Sequence, residues 1–257
     1  MRLVTWNVAG RVRAHPEQAA AVAAVAADVV ALQEVTARTE PLWRAALHAA
    51  GLPHCASALG ALPAGASRRR LAVMTASRRP LRVLPSSPEI PWPERLLRCE
   101  TGGIEITNLH SPIAPAPDLA KIRTHEAVAA LLADGSGPRV LCGDLNTPRR
   151  ELEDGDVLTF AYDTRGRLRE ERGERWDRAE RALIRGLGWT DAFRVLHGYA
   201  EREASWTFSQ DRGGWRLDHV LVTGLDVVAS AYAHEWRRAG LSDHSALVVD
   251  LAAQSST

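Results

Sequence analysis

Short apolar runs that stop on polar residues recur along this chain. Leu3-Val4-Thr5 runs into Trp6-Asn7, Val29-Val30-Ala31-Leu32 into Gln33-Glu34, and Arg139-Val140-Leu141-Cys142 into Gly143-Asp144-Leu145-Asn146. A fourth run, 236–241, leads into Ser242-Asp243-His244. Runs this short and rich in β-branched residues read as buried strands. A polar side chain placed where a buried strand stops is positioned for chemistry rather than packing. Four carboxylate or amide groups at four strand ends point to one metal site assembled from across the chain.

Helical patterns separate the runs. Residues 16–27 open on Pro16, suited to a first helical turn, and continue rich in alanine. Residues 39–50 and 180–187 also read as helices, and 118–132 as an amphipathic one with Ile122, Val128, Leu131 and Leu132 on its apolar side. Residues 71–74 and 81–84 look like two paired strands joined by the turn Ser77-Arg78-Arg79-Pro80. Ile104-Glu105-Ile106-Thr107-Asn108-Leu109 alternates with period two, the mark of a half-buried strand. Later strands are predicted at 206–208, 217–222 and 246–251. Strands alternate with helices through the first half of the chain.

Residues 148–178 break this rhythm. They are dense in both signs of charge, and 157–162 reads as one arm of a hairpin turning at Asp163-Thr164-Arg165-Gly166. The expectation is an inserted, charged surface loop, mobile over the site, or a solvated excursion without function. No repeat or low-complexity linker interrupts the rest, so residues 1–257 are expected to form a single domain.

Composition narrows the class. With 46% hydrophobic and 25% charged residues the chain reads as an ordinary soluble protein, and a net charge of +1 argues against a protein that coats nucleic acid nonspecifically. Lys121 is the single lysine, so arginine carries the positive charge and offers bidentate phosphate recognition. Cys55, Cys99 and Cys142 are odd in number and lack C-x-x-C spacing, which excludes a disulfide framework or a thiolate zinc site. Cys142 is expected as a small buried hydrophobe. No apolar run approaches the ~18 residues of a membrane span. The N-terminus shows no basic-then-apolar signal region, so the expectation is a cytoplasmic monomer with no membrane contact.

Taken in order, Thr5-Trp6-Asn7, Leu32-Gln33-Glu34, Asn108-Leu109-His110, Gly143-Asp144-Leu145-Asn146, Trp215-Arg216-Leu217-Asp218 and Ser242-Asp243-His244 resemble the motifs of the endonuclease/exonuclease/phosphatase superfamily. That is the fold of deoxyribonuclease I, exonuclease III and sphingomyelinases. The motifs reach from residue 5 to residue 244, nearly the whole chain. The resemblance implies a four-layer α/β sandwich, two mixed β-sheets face to face with helices outside. It also implies a phosphoesterase dependent on Mg²⁺ or Mn²⁺.

Each matched residue has a physical reason. Glu34 is a hard oxygen donor suited to such ions, or alternatively caps the helix that starts nearby. The resemblance makes Asn7 a support for the metal or the phosphate, and Asp243 the second carboxylate ligand. Asp144 and Asn146 face the same way if their segment is extended, and the resemblance assigns them water activation and phosphate orientation. Asp218 would hydrogen-bond His244 and favour its imidazolium, which stabilises charge on phosphoryl oxygens. Successive strand residues face opposite ways, so His219 should be packed or surface-facing. His110 donates to the phosphate, or is satisfied by its own loop. Asp191 matches a family segment, but Thr190-Asp191 before a helix is also what capping requires.

Substrate is less constrained. Trp206, Phe208, Arg212 and Trp215 form an aromatic and basic rim that stacks on a base, or simply pack together. Arg68, Arg69 and Arg70 grip a phosphate backbone or make a solvated turn. Ala9 and Thr36 stand where abasic-site endonucleases usually carry an acid and a lysine. The implied reaction is in-line attack of water on a DNA phosphodiester. The alternative is a phosphomonoester or a phospholipid such as sphingomyelin. A catalytically dead binding module is disfavoured, because no core motif residue is missing.

Overall fold

Strand β1 (Arg2–Asn7) decides how the layers stack. In the computed structural model, which describes residues 1–62, 67, 70–87, 89–208 and 213–254, Leu3 and Val4 point to opposite faces and both are fully buried. Leu3 packs with Val29, Ala31, Ile106, Val140, Val220 and Val249 between two sheets. Val4 and Trp6 pack outward onto Val22 of α1 (His15–Ala24) and Trp43 and Leu47 of α2 (Glu40–Ala49). A strand apolar on both faces has to be covered on both. The second sheet repeats the arrangement. Val140 and Cys142 join the inner core, while Leu141 packs outward with Leu109 onto Val128 and Leu132 of α3 (Ala120–Ala133). Leu183 and Ile184 complete that outer layer from a π-helical turn, Ala182–Gly186, that continues α4 (Gly173–Arg181). The result is the expected four-layer α/β sandwich of two mixed six-stranded sheets.

One sheet runs β15 (Leu225–Ala233), β16 (Ala246–Ala253), β1, β2 (Val29–Val35), β4 (Ala72–Ser77), β3 (His54–Ser57). The other runs β11 (Thr190–Asp191), β14 (Asp218–Thr223), β8 (Arg139–Asp144), β7 (Ile104–His110), β6 (Leu96–Thr101), β5 (Leu81–Val83). Each sheet has one parallel pair at its centre, β1 with β2 and β7 with β8, and the intervening helix is α1 or α3. Two small hairpins, β9 (Arg150–Glu151) with β10 (Val157–Leu158) and β12 (Trp206–Thr207) with β13 (Gly214–Trp215), flank the second sheet's reactive end. Short helices α5 (Arg194–His197) and α6 (His234–Arg238) complete the elements. No helix among the described residues is long and apolar enough to cross a membrane.

Four expectations are corrected. The strands at 71–74 and 81–84 do not pair: β4 belongs to the first sheet, whereas β5 pairs with β6 in the second. The turn through Pro80 carries the chain from one sheet to the other. β7 is not half-buried, because α3 and the inner core cover both faces and its last five residues are all buried. The run 236–241 is no strand: α6 occupies its start, and Ser242-Asp243-His244 precede β16 rather than close a strand. Finally, the 148–178 segment is not a solvated loop. Val157, Ala161 and Trp176 are buried in it, and Glu151 pairs with Arg185, Arg194 and Arg216. The predicted turn is present, with Asp163 accepting from the Arg165 and Arg167 backbone N–H groups.

Gly143 joins the parallel pair at closest approach. It sits at φ +131°, and a Cβ there would lie 2.0 Å from the Leu109 carbonyl oxygen. Gly143→Ala must therefore spread β7 from β8, and urea unfolding should show a loss on the order of 3 kcal/mol. A variant within ~0.5 kcal/mol of the parent would mean that the pair tolerates the methyl group.

Candidate active site

Both parallel pairs end at the same edge of the sandwich, and the antiparallel strands beside them begin there. β1 and β2 bring Asn7 and Glu34 to that edge, and β7 and β8 bring His110 and Asp144. β14 starts on Asp218, in register with Asp144. His244 lies just before β16, which runs antiparallel to β1 with Leu247 opposite Thr5. Open α/β sheets hold ligands at such strand ends.

Asn7 ties the two sheets together. Its Nδ2 donates to Glu34 Oε1 at 3.2 Å and Asp144 Oδ2 at 3.0 Å, while its Oδ1 accepts from the Ala9 N–H at 3.0 Å. Glu34 takes a left-handed φ of +61° where the β2–β4 register slips between Leu32 and Val35. A non-glycine residue in that region is strained and held by its surroundings. Beneath it, Gln33 Nε2 donates to Asn108 Oδ1 at 2.8 Å, and Asn108 Nδ2 donates to the Leu32 and Met74 carbonyls.

His244 and Asp218 form the second half. His244 Nδ1 donates to Asp218 Oδ2 at 2.8 Å, and its Nε2 lies 3.8 Å from Asp144 Oδ2. Burial works against charge on the ring, but Asp218 and Asp144 overcome it and push the pKa up to about 10. Burial likewise pushes Asp144 up to about 7, with His244 opposing. His110 is buried and held well below its usual pKa by burial and then by the charges of Arg95 and His244. Its Nε2 stands 3.7 Å from both Glu34 and Asp144. The loop is fixed by Trp6 Nε1 donating to the His244 carbonyl and by Ser242 Oγ donating to the Asn7 carbonyl.

Asn146 departs from the extended geometry expected of it. At φ +50° the chain turns back, so its N–H donates to Asp144 Oδ1 at 3.0 Å and its side chain donates to the Ser111 carbonyl at 2.8 Å. Lys121 Nζ donates to the Asn146 carbonyl at 2.7 Å and pairs with Glu180 at 2.6 Å, both side chains fully buried. Nothing in the helical pattern of 118–132 distinguished Lys121 beforehand; its being the single lysine was the one available signal. Arg95, beside Glu34 and Asp144 in charge, was also missed, since one arginine among so many carries no pattern.

Glu34 has the chemistry of a divalent-cation ligand. Burial raises its pKa, one amide donor contacts it, and among the described residues no Lys or Arg pairs with it. Asp243 approaches from the rim, where Trp206 Nε1 donates to it at 3.3 Å. Asp144, Asp218 and His244 are also close enough to share an ion. In that trio, however, His244 Nδ1 is already engaged by Asp218, and the imidazolium cancels one of the two carboxylate charges.

A family model described as the Endonuclease/Exonuclease/phosphatase family matches residues 4–244. The chain belongs to that family. It is a hydrolase of phosphoester bonds. Similar solved structures include an AP endonuclease from Archaeoglobus fulgidus, at TM-score 0.73 and 22% identity, covering 97% of this chain and 98% of that one. A 3′-5′ exonuclease from Neisseria meningitidis matches at TM-score 0.70 and 22% identity, over 97% and 99%. A 3′ phosphatase from Neisseria bound to product DNA hairpin matches at 0.72 and 21%, over 98% and 99%. Comparison with curated proteins finds no match. Identities this low speak for a shared fold.

In this family member the rim residues pack on one another. Trp206 and Trp215 stack with centroids 5.3 Å apart, and Phe208 and Phe160 meet Trp215 edge-on. Arg212 lies outside the described residues, as do Arg68 and Arg69; Arg70 pairs with Glu94 at 2.5 Å. His219 is packed: it is fully buried, with Nε2 donating to the Thr147 and Arg216 carbonyls. Asp191 accepts from the Phe193 and Arg194 N–H groups at the start of α5 and also pairs with Arg216 at 2.5 Å.

The Asp218–His244 pair generates a pH prediction. The folded pKa of His244 lies above its unfolded value of about 6.5. Its pairing therefore stabilises the fold fully below that value and is lost as pH rises through about 10. In metal-free protein, NMR of the labelled ring should show titration near 10, falling by more than a unit in Asp218→Asn, where burial gains the upper hand. An unchanged titration in the variant would show that Asp218 does not hold the charge.

Proposed function

We propose that this hydrolase cuts phosphodiester bonds of DNA, with Mg²⁺ or Mn²⁺ held by Glu34 and Asp243 and steadied by Asn7. The observation that carries the reading is a buried carboxylate beside a held imidazole: His244 Nε2 lies 3.8 Å from Asp144, with His244 Nδ1 on Asp218 at 2.8 Å, and burial raises the Asp144 pKa. A carboxylate titrating near neutrality accepts a proton from water efficiently. His244, locked by Asp218, offers its Nε2 proton to a phosphoryl oxygen whose charge grows during attack. The Asn146 N–H and the Asn7 amide orient Asp144, and His110 Nε2 faces the same space. A divalent cation bound at Glu34 supplies Lewis acidity toward the phosphoryl oxygens.

DNA as substrate is supported by the likeness to an AP endonuclease and to a 3′ phosphatase that holds a DNA product. It is supported also by Trp206, Phe208 and Trp215 beside Asp243, with Arg212 in the connecting segment. The same 3′ phosphatase favours a second reading, removal of a terminal phosphomonoester. Three free cysteines suit a reducing compartment, and we place the protein in the cytoplasm.

The test is a panel with Mg²⁺, Mn²⁺ and EDTA: supercoiled plasmid, an abasic-site duplex, a 3′-phosphorylated oligonucleotide, p-nitrophenyl phosphate and sphingomyelin vesicles. DNA cleavage with either ion and none in EDTA is expected. Glu34→Gln should abolish it while shifting stability by less than about 1 kcal/mol. Full activity in EDTA or in that variant sinks the metal assignment. Turnover of sphingomyelin or p-nitrophenyl phosphate alone sinks the DNA assignment.

A further inference from the structure

A cleft of about 410 Å³ opens directly off Glu34 and His110, away from the aromatic rim. Trp92 and Arg95 form one wall, and Leu71 and Ile113 are among the apolar residues of the others. Arg95 ends the 3₁₀ turn Pro93–Arg95 just before β6, and its guanidinium lies 4.7 Å from the centre of the Trp92 ring. Among the described residues its side chain makes no hydrogen bond and no ion pair. That separates it from the buried arginines. Arg139 donates to the Leu132 and Gly135 carbonyls, Arg194 to Glu151, and Arg216 to Glu151 and Asp191.

The neighbouring acids do not answer Arg95. Glu94, next in the chain, is taken by Arg70 at 2.5 Å. Glu34 and Asp144 attract Arg95 from a distance but are bonded to Asn7. Burial pulls the guanidinium's pKa down, with these carboxylates opposing. A planar cation with five N–H donors, half-buried and facing a cleft, is a receptor for an oxyanion. The reactive phosphate already has His244 and His110 beside it. The apolar walls beside Arg95 suit the sugar and base that join one phosphate to the next.

We propose that this cleft receives the nucleotide beside the cleaved bond, with Arg95 gripping the phosphate that follows it along the strand. The proposal rests on the reading of the site as a DNA phosphodiesterase. It predicts discrimination by phosphate count: a polynucleotide engages Arg95, whereas an ester with one phosphate cannot.

Arg95→Gln and Arg95→Lys separate the possibilities, with an oligonucleotide and bis(p-nitrophenyl) phosphate as substrates. Arg95→Gln should raise KM for the oligonucleotide about tenfold with little change in kcat, and leave the single-phosphate ester unaffected; Arg95→Lys should restore part of the loss. In EDTA, fluorescence anisotropy should show weaker binding of a labelled single-stranded oligonucleotide to Arg95→Gln. The slope of log affinity against log salt should be smaller by about 0.7, the share of one strand contact. Equal losses on both substrates would assign Arg95 to the cleaved phosphate and overturn the subsite, as would unchanged oligonucleotide binding and KM. Wild-type protein that hydrolyses the small ester but no oligonucleotide would instead overturn the DNA reading.

Discussion

The reactive edge is organised around one buried carboxylate, Asp144. A carboxylate withdrawn from water is costly unless donors and an opposite charge replace its hydration. Asp144 receives the Asn7 amide and the Asn146 N–H, and faces the His244 imidazolium. That compensation is incomplete, which is why its pKa rises to about 7 instead of falling. The same shortfall suits the group to the base role proposed for it. His244 tolerates its own burial because Asp218 lies against Nδ1, so the two carboxylates and one imidazolium leave a net negative pocket beside Glu34.

Two buried ionic groups hold this pocket in shape. Lys121 and Glu180 clamp the turn after β8 from below, with Glu180 accepting also from Thr147 Oγ1, the Phe160 N–H and Trp176 Nε1. Glu151 and Asp191 hold Arg216, two residues before Asp218. Buried ion pairs are weak contributors to net stability because desolvation offsets their attraction. Their better-attested use is to specify one geometry, and here both fix backbone that leads into a reactive side chain. The charged 148–178 segment is thereby explained: it carries Glu151 inward to the strand that presents Asp218.

The polar clusters at strand ends were legible because apolar runs of strand length leave little doubt about where a strand stops. The four layers came from the family resemblance, with which these runs are compatible. Three other features were not legible. Whether β4 pairs with β5 depends on partners far away in sequence, and a turn rich in Arg and Pro serves a hairpin and a sheet crossing equally well. The position of His244 at the start of β16 was hidden because Trp236 and Leu241, apolar like a strand, line a short helix and its exit. Asn146 was assigned an extended backbone, whereas the Asp144 carboxylate draws its N–H into a left-handed turn. Charge-rich stretches such as 148–178 read as solvated from composition alone, since pairing between Glu151 and Arg216 is a property of the fold.

The two sheets contribute unlike chemistry to the edge they share. The first supplies Asn7, Glu34 and Asp243, an oxygen-rich face whose strained Glu34 makes no ion pair with Lys or Arg among the described residues. The second supplies His110, Asp144 and Asp218, the groups proposed to handle protons. His244 belongs by sequence to the first sheet but by hydrogen bond to the second. Neither sheet therefore holds a working site, and the distance between them has to be set to within a hydrogen bond. The Gln33–Asn108 contact does this directly beneath Glu34, and Ser77 with Thr101 repeats it nearer the opposite edge at 2.8 Å. Polar links inside an apolar core sacrifice some burial, but they have one register, whereas apolar side chains between flat faces tolerate sliding. The inner core holds the sheets together, and these amide and hydroxyl contacts fix where Glu34 stands relative to Asp144.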